Sequence, residues 1–195
     1  MRNLKKQHNL STFFVQSIDI GPVLLVDASV IRQDGKRQDQ QRIHLCYSLN
    51  ENRMKQVKVS DQHTAESLTH FSMEKGNLVM ADAGYGTAHN YIYAQEQGAD
   101  VILRITPKNF CLYDADGEKI SLTALLEEAE EKHMEWIDVF ASCRYKGKTR
   151  FVRVIAHRLP ACQAEKARKR KNVFLRKNME FFIQPTKNVK SHLHR

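Results

Sequence analysis

Nowhere do the 195 residues supply the ~18 consecutive apolar side chains of a membrane helix; the longest runs are short, such as Gly21-Pro22-Val23-Leu24-Leu25-Val26. The opening Met-Arg-Asn-Leu-Lys-Lys-Gln-His has no apolar stretch of the kind a signal peptide carries, so export is not expected. Four cysteines, Cys46, Cys111, Cys143 and Cys162, lie far apart without a Cys-x-x-Cys pair. That spacing disfavours a disulfide framework and a zinc knuckle, and it points to reduced thiols in the cytoplasm. Disorder is also excluded, because 42% of the residues are hydrophobic. The length suits one domain, or one domain with an appendage.

Charge is missing too, from most of the chain. The formal net charge is +9, yet residues 1–165 balance 21 Lys/Arg against 21 Asp/Glu. The excess falls in residues 166–195, where ten basic residues meet the single acid Glu180. Its densest part is Lys166-Ala-Arg168-Lys169-Arg170-Lys171. A polyanion is the natural partner of such a cluster, and double-stranded DNA is the expectation, with Arg168, Lys169, Arg170 and Lys171 as contacts. A solvated basic tail with no specific partner is the plainer reading.

What is present reads as a mixed α/β chain without internal repeats. Residues 22–28 form a short apolar run after a Gly-Pro break, read as a buried strand. The turn signal Asp34-Gly35 and the runs 43–49 and 56–59 extend this into an antiparallel meander. Residues 61–71 are expected to be a short helix, capped at Asp61 or Thr64, with Ala65, Leu68 and Phe71 on one face. Residues 77–81 read as a strand, 87–97 as a helix stopped by Gly98, and 100–105 as another strand. Beyond lies a small hairpin near 110–121, a helix over 122–134, and two strands over 136–143 and 149–157 joined at Lys146-Gly147. This implies three parts: 1–107 as a first core, 108–158 as a β-rich insertion separate from the first sheet, and 159–195 as a basic segment. The last part is expected to begin as a helix and to lose its pattern after about 172.

Two acids stand where chemistry is commonly placed. Asp27 and Asp82 each end an apolar strand, so neighbouring strands would bring both carboxylates to one sheet edge. Paired carboxylates of this kind hold Mg²⁺, a hard cation that keeps waters for a phosphate substrate. An Asp after a strand also commonly caps a turn or helix, and that alternative stays open. A third reading takes Asp82-Ala-Gly84-Tyr-Gly86 as the nucleotide turn of an S-adenosylmethionine-dependent methyltransferase. Against it, the next strand ends in Leu103-Arg104-Ile105 rather than in a ribose-holding acid.

Leu24-Leu-Val-Asp27-Ala-Ser29, Val79-Met-Ala-Asp82-Ala-Gly-Tyr85-Gly and Val101-Ile-Leu-Arg104 stand in the order and spacing of one family. In these motifs the chain resembles the DDE transposases of bacterial insertion sequences, and within them the branch whose third acid lies in a Tyr-Arg-Glu-Lys signature. The resemblance runs from about 20 to 172. It implies an RNase H-like mixed sheet with flanking helices, interrupted by a β-rich insertion. It further implies Asp27 and Asp82 as catalytic acids and metal ligands, Arg104 as a phosphate contact, and Mg²⁺ (or Mn²⁺) as cofactor. The implied reaction is water attack on a phosphodiester at the element end, followed by attack of the freed 3′-hydroxyl on target DNA.

The chain departs from the pattern in three places. Position 83 is Ala where the family often has Arg, the helical region that usually precedes the first acid is absent, and no Tyr-Arg-Glu-Lys block follows. Glu180 is the only late acid, in Met179-Glu-Phe-Phe182, with Pro185 close behind to break a helix. The expectation is therefore a truncated or frameshifted transposase that lacks its third acid and is inactive alone. Alternatively the chain is a non-catalytic DNA-binding remnant. A homo-oligomer, or a hetero-oligomer with a full-length transposase, would be its assembly.

Overall fold

Alternation writes the first strand. In β1 (Val23–Ile31) Leu24 and Val26 are buried, while Leu25 and Asp27 between them face outward. The computed structural model describes residues 21–31, 40–159 and 179–185. β2 (Gln41–Ser48) pairs antiparallel with β1, and β3 (Arg53–Asp61) pairs antiparallel with β2, giving the expected meander. On the other side of β1 lies β4 (Leu78–Ala81), parallel to it. Helix α1 (Ala88–Glu96) then leads to β5 (Asp100–Ile105), parallel to β4. The order β3-β2-β1-β4-β5, antiparallel and then parallel, is the RNase H-like α/β arrangement.

Local chemistry sets the ends of α1. The Thr87 hydroxyl accepts from the Asn90 N–H at 3.3 Å, and Gly98, at φ +74°, stops the chain from continuing as helix. Tyr91 and Ile92 are buried, which contributes roughly 2 kcal/mol each. Tyr91 also donates its hydroxyl to the Phe151 carbonyl at 2.7 Å and meets the Phe110 ring edge to face. This face of the sheet is thus covered. The opposite face presents Leu25, Val57, Val59, Trp136, Phe140 and Phe151 as exposed side chains among the described residues.

The second half adds β6 (Leu112–Tyr113), β7 (Lys119–Ile120), helix α2 (Leu122–Glu131), β8 (Trp136–Tyr145), β9 (Lys148–Arg158) and β10 (Met179–Pro185). Ser121 caps α2 by accepting from the Ala124 N–H at 3.2 Å, and Leu122 and Ala129 turn inward. Lys146 and Gly147, both at positive φ, make the tight turn between β8 and β9.

Two expectations need correcting. The stretch 61–71 is not an α-helix but one 3-10 turn, Leu68–His70, inside a loop. The Asp61 carboxylate instead accepts from the His63 and Thr64 N–H groups and the Thr64 hydroxyl, so it closes a local turn that competes with helix. The region 108–158 is also not separate from the first sheet. β10 pairs antiparallel with both β5 and β9, joining everything into one ten-stranded sheet ordered β3-β2-β1-β4-β5-β10-β9-β8-β6-β7. The basic helix expected after residue 159 lies outside the described residues.

Candidate active site

The sheet register assembles the site. Val26 pairs with Ala81 across the parallel β1–β4 ladder, and Ala81 pairs with Leu103 across β4–β5. One step further along each strand stand Asp27, Asp82 and Arg104, in a row with strands about 5 Å apart. Asp82 and Arg104 stand at the carboxyl ends of β4 and β5, the edge where open α/β sheets place their ligands. Asp27 does not end its strand as expected: it lies where the parallel ladder with β4 stops, while β1 runs on to Ile31 paired with β2. Arg104 brings Nη2 to 3.7 Å from Asp82 Oδ2, and both side chains remain about half exposed. Asp82 Oδ1 accepts the Gly84 N–H at 2.9 Å, so the turn-capping role is real and uses one oxygen. Capping of α1 falls to Thr87.

A fourth charged group, which no sequence motif marked, completes the cluster. Glu66, from the loop before the 3-10 turn, places its carboxylate over Gly84; a Cβ on Gly84 would overlap Glu66 Oε2 and lie 3.2 Å from Asp82 Oδ1. Arg42 on β2 holds Glu66 from behind, with Nη1 at 3.6 Å from Oε1, and anchors itself on the Thr64 carbonyl at 3.0 Å. Burial pushes the Glu66 carboxyl above its ordinary range; the Asp82 and Asp27 charges raise it further, and Arg42 opposes them.

Two buried groups sit beneath. Tyr85 is fully buried and its hydroxyl has no hydrogen-bond partner. Burial raises its phenol well above the usual value, followed by the charges of Glu66, Asp27 and Asp82, with Arg42 acting the other way. Asn90 of α1 donates to the Tyr85 carbonyl at 2.9 Å, while its own oxygen accepts from the Leu68 N–H at 2.9 Å and the Ser67 hydroxyl at 3.2 Å. A single amide therefore ties the Asp82 turn to the loop that carries Glu66.

The glycines bear on the methyltransferase alternative. At Gly86 a Cβ would overlap the Arg104 carbonyl oxygen, and at Gly84 it would overlap Glu66. Both glycines admit protein atoms, not a nucleotide, so this turn is not a nucleotide cradle. Asp27 and Asp82 offer hard oxygen donors of the kind a divalent cation takes. Among the described residues no three His, Cys, Asp or Glu side chains stand close enough to grip one ion between them.

Of the remaining expected residues, Arg168, Lys169, Arg170 and Lys171 lie outside the described residues. Glu180 falls in β10, paired with His157, so the stretch 179–182 is strand and not the helix that would carry a third acid. No helix among the described residues is long and apolar enough to cross a membrane.

No curated protein gives a significant match to the chain. A family model does, the Transposase DDE domain, over residues 20–179. The matched span covers most of the chain and takes in β1 through β9, with Asp27, Asp82 and Arg104 at one sheet edge. By that match the chain belongs to the DDE transposases, enzymes that act on DNA with a divalent metal.

Proposed function

We propose that the edge formed by β1, β4 and β5 is the strand-cleavage centre of this transposase, with Asp27 and Asp82 holding Mg²⁺ (or Mn²⁺). The supporting observation is the parallel register, in which Asp27 and Asp82 each follow the last paired residue of the β1–β4 ladder, with Arg104 beside them. When bound, the cation supplies positive charge for phosphodiester cleavage. Asp82 is kept in place by the Gly84 N–H, which leaves its second oxygen directed toward Arg104 and the open edge. Arg104 offers a guanidinium to a substrate phosphate lying across the edge. The basic residues Arg168, Lys169, Arg170 and Lys171 bind the duplex, both element ends and target, and the work is done in the cytoplasm. The chain alone has weak or no cleavage activity, since its late acid Glu180 falls in a strand and not in a helix of the kind that would carry a third acid. Full activity then requires self-association or a full-length relative.

Two measurements on the purified chain test this. Mn²⁺ titration followed by electron paramagnetic resonance should show binding that Mg²⁺ displaces. Asp27→Asn and Asp82→Asn should each weaken it at least tenfold, about 1.4 kcal/mol. Unchanged affinity in both variants would overturn the assignment. Duplex DNA binding should fall steeply with salt, with a log–log slope near −5 if about six phosphates are met; a flat response refutes the DNA-binding part.

A further inference from the structure

Aromatic rings stand open on the β8–β9 hairpin, on the side away from the core. Trp136, Phe140 and Phe151 are 56%, 49% and 54% exposed, while Ile137, Ala141, Val152 and Val154 between them turn inward. The ladder register puts the three rings on one face. Trp136 is opposite His157, Phe140 opposite Arg153, and Phe151 opposite Ser142, whose other neighbour is Tyr113 of β6. Cations are interleaved with the rings. The Arg144 guanidinium lies 4.2 Å from the Tyr113 ring centre and Arg153 lies 6.0 Å from that of Phe140, while His157 meets the Trp136 ring at 4.2 Å. Residues 139–158 contain six Lys/Arg and no Asp/Glu. Asp138, just outside that span, pairs with Arg153, and Glu96 of α1 pairs with Lys148.

Charge and rings together select the partner. An apolar protein surface laid here would leave the positive excess unbalanced, whereas the phosphates of a nucleic acid neutralise it. Duplex DNA would use the charge alone, because its bases are already stacked inside; open rings call for bases free to stack. We propose that this face, completed by Tyr113, is a stacking platform for an unpaired stretch of DNA. Phe140 and Phe151 receive bases, and Arg144 and the Lys146 turn hold phosphates. The platform shares a register with the row of Asp27, Asp82 and Arg104. Arg104 is opposite position 182 of β10, which is opposite Ile155 of β9, so about 10 Å separates Arg104 from the platform. A strand freed at the aspartates reaches the rings by crossing β10. That last step rests on the reading of the edge as the cleavage centre; the platform itself does not.

Trp136 is the only tryptophan of the chain, so its emission reports on this face. Titrating the full chain with oligo(dT) of about 15 nucleotides, in EDTA, should quench that emission, and a duplex of equal length should not. Phe140→Ala and Phe151→Ala should each weaken oligo(dT) about tenfold with the salt slope unchanged, while Phe140→Tyr and Phe151→Tyr bind as the parent does. Arg144→Ala should weaken binding and reduce the slope by about one. Circular dichroism confirms that each variant is folded. Folded alanine variants that hold oligo(dT) as tightly as the parent would show that charge alone binds the strand, and the proposal fails. Equal quenching by duplex and oligo(dT) also overturns it. If the alanine variants lose self-association in sedimentation but keep oligo(dT) affinity, the face belongs to a second copy and the proposal fails again. Because the titration contains no metal, its outcome is separate from that of Asp27→Asn and Asp82→Asn, and either reading can fall while the other stands.

Discussion

Replacing Asn90 with alanine tests how the two sides of the site are joined. Asn90 is 1% exposed and makes three side-chain hydrogen bonds, to the Tyr85 carbonyl, the Leu68 N–H and the Ser67 hydroxyl. Alanine keeps the backbone N–H that Thr87 caps, so α1 itself is spared. Ser67 has water within reach and loses little. Leu68 is fully buried, so its amide is stranded without water. The Tyr85 carbonyl loses one donor but keeps the Thr87 N–H at 2.8 Å. One orphaned amide costs about 1–3 kcal/mol, so a destabilisation near 2 kcal/mol is expected. That is a sizeable part of the ~5–15 kcal/mol that holds a domain together. With a urea slope of about 2 kcal/mol per molar, the unfolding midpoint should fall by roughly 1 M. Hydrogen exchange should report the Leu68 amide opening faster by at least one order of magnitude. A midpoint shift below about 0.5 M, or an unchanged Leu68 amide, would refute the idea that this one side chain clasps the loop to the Asp82 turn.

Other consequences can be checked separately. His44 is buried and its protonation is disfavoured, first by burial and then by His70, Arg42 and Lys58. The unfolded chain takes that proton near the ordinary ~6.5, so the stability it confers is full above that value and lost as pH falls through the lowered native one. Urea unfolding between about pH 8 and 5 should show this slope reduced in His44→Gln. Burial pushes the Cys143 thiol up to about 12 and raises Cys46, whereas Cys111 is exposed. Iodoacetamide should therefore label Cys111 in the native protein and reach Cys46 and Cys143 only after urea, as read by peptide mass spectrometry. Gly86→Ala sets a methyl against the Arg104 carbonyl, backbone on both sides, and should lower stability by about 1–3 kcal/mol in a thermal melt. Asp138 accepts two hydrogen bonds from Arg153, at 2.8 and 2.6 Å, which hold its carboxyl below the ordinary range. Both side chains are over a third exposed, so Asp138→Asn should cost under ~1 kcal/mol at neutral pH. That difference should vanish as pH falls through the depressed native value.

The elements most legible in the sequence were those whose signals are local. β5 starts at Asp100 after Gly98 and ends before Pro107, with a buried residue at every second position. α1 begins at a capping Thr and ends before a glycine. The juxtaposition of Asp27 and Asp82 was legible only conditionally. Asp82 does follow the end of β4, but β1 runs on from Asp27 to Ile31, and the parallel β1–β4 pairing that brings them together is set by the fold rather than by either run. The 61–71 loop was misread for a physical reason. Ala65, Leu68 and Phe71 recur every three residues, a spacing that a 3-10 turn meets as well as an α-helix does. Asp61 and Ser67 then satisfy the backbone locally. β10 was hidden because Met179-Glu-Phe-Phe has no period of its own; its strand form comes from the two edges it fills. Glu66 was invisible because its meaning depends on a loop crossing above Gly84, which no spacing along the chain records.

The placement of β10 also sets a timetable. Sheet edges β5 and β9 face each other only through a strand drawn from residues 179–185, with Phe182 opposite both Arg104 and Ile155. As the chain leaves the ribosome, the first five strands can form while the outer side of β5 stays unpaired until the last part of the sequence arrives. Such distant pairing is slow, and until it happens two strand edges stand open to any passing chain. Synthesis that stopped short of residue 179 would therefore produce not a smaller transposase domain but a pair of sheets with adhesive margins. The seven residues that carry no assigned chemistry decide whether the chain ends as one soluble sheet or as an aggregate.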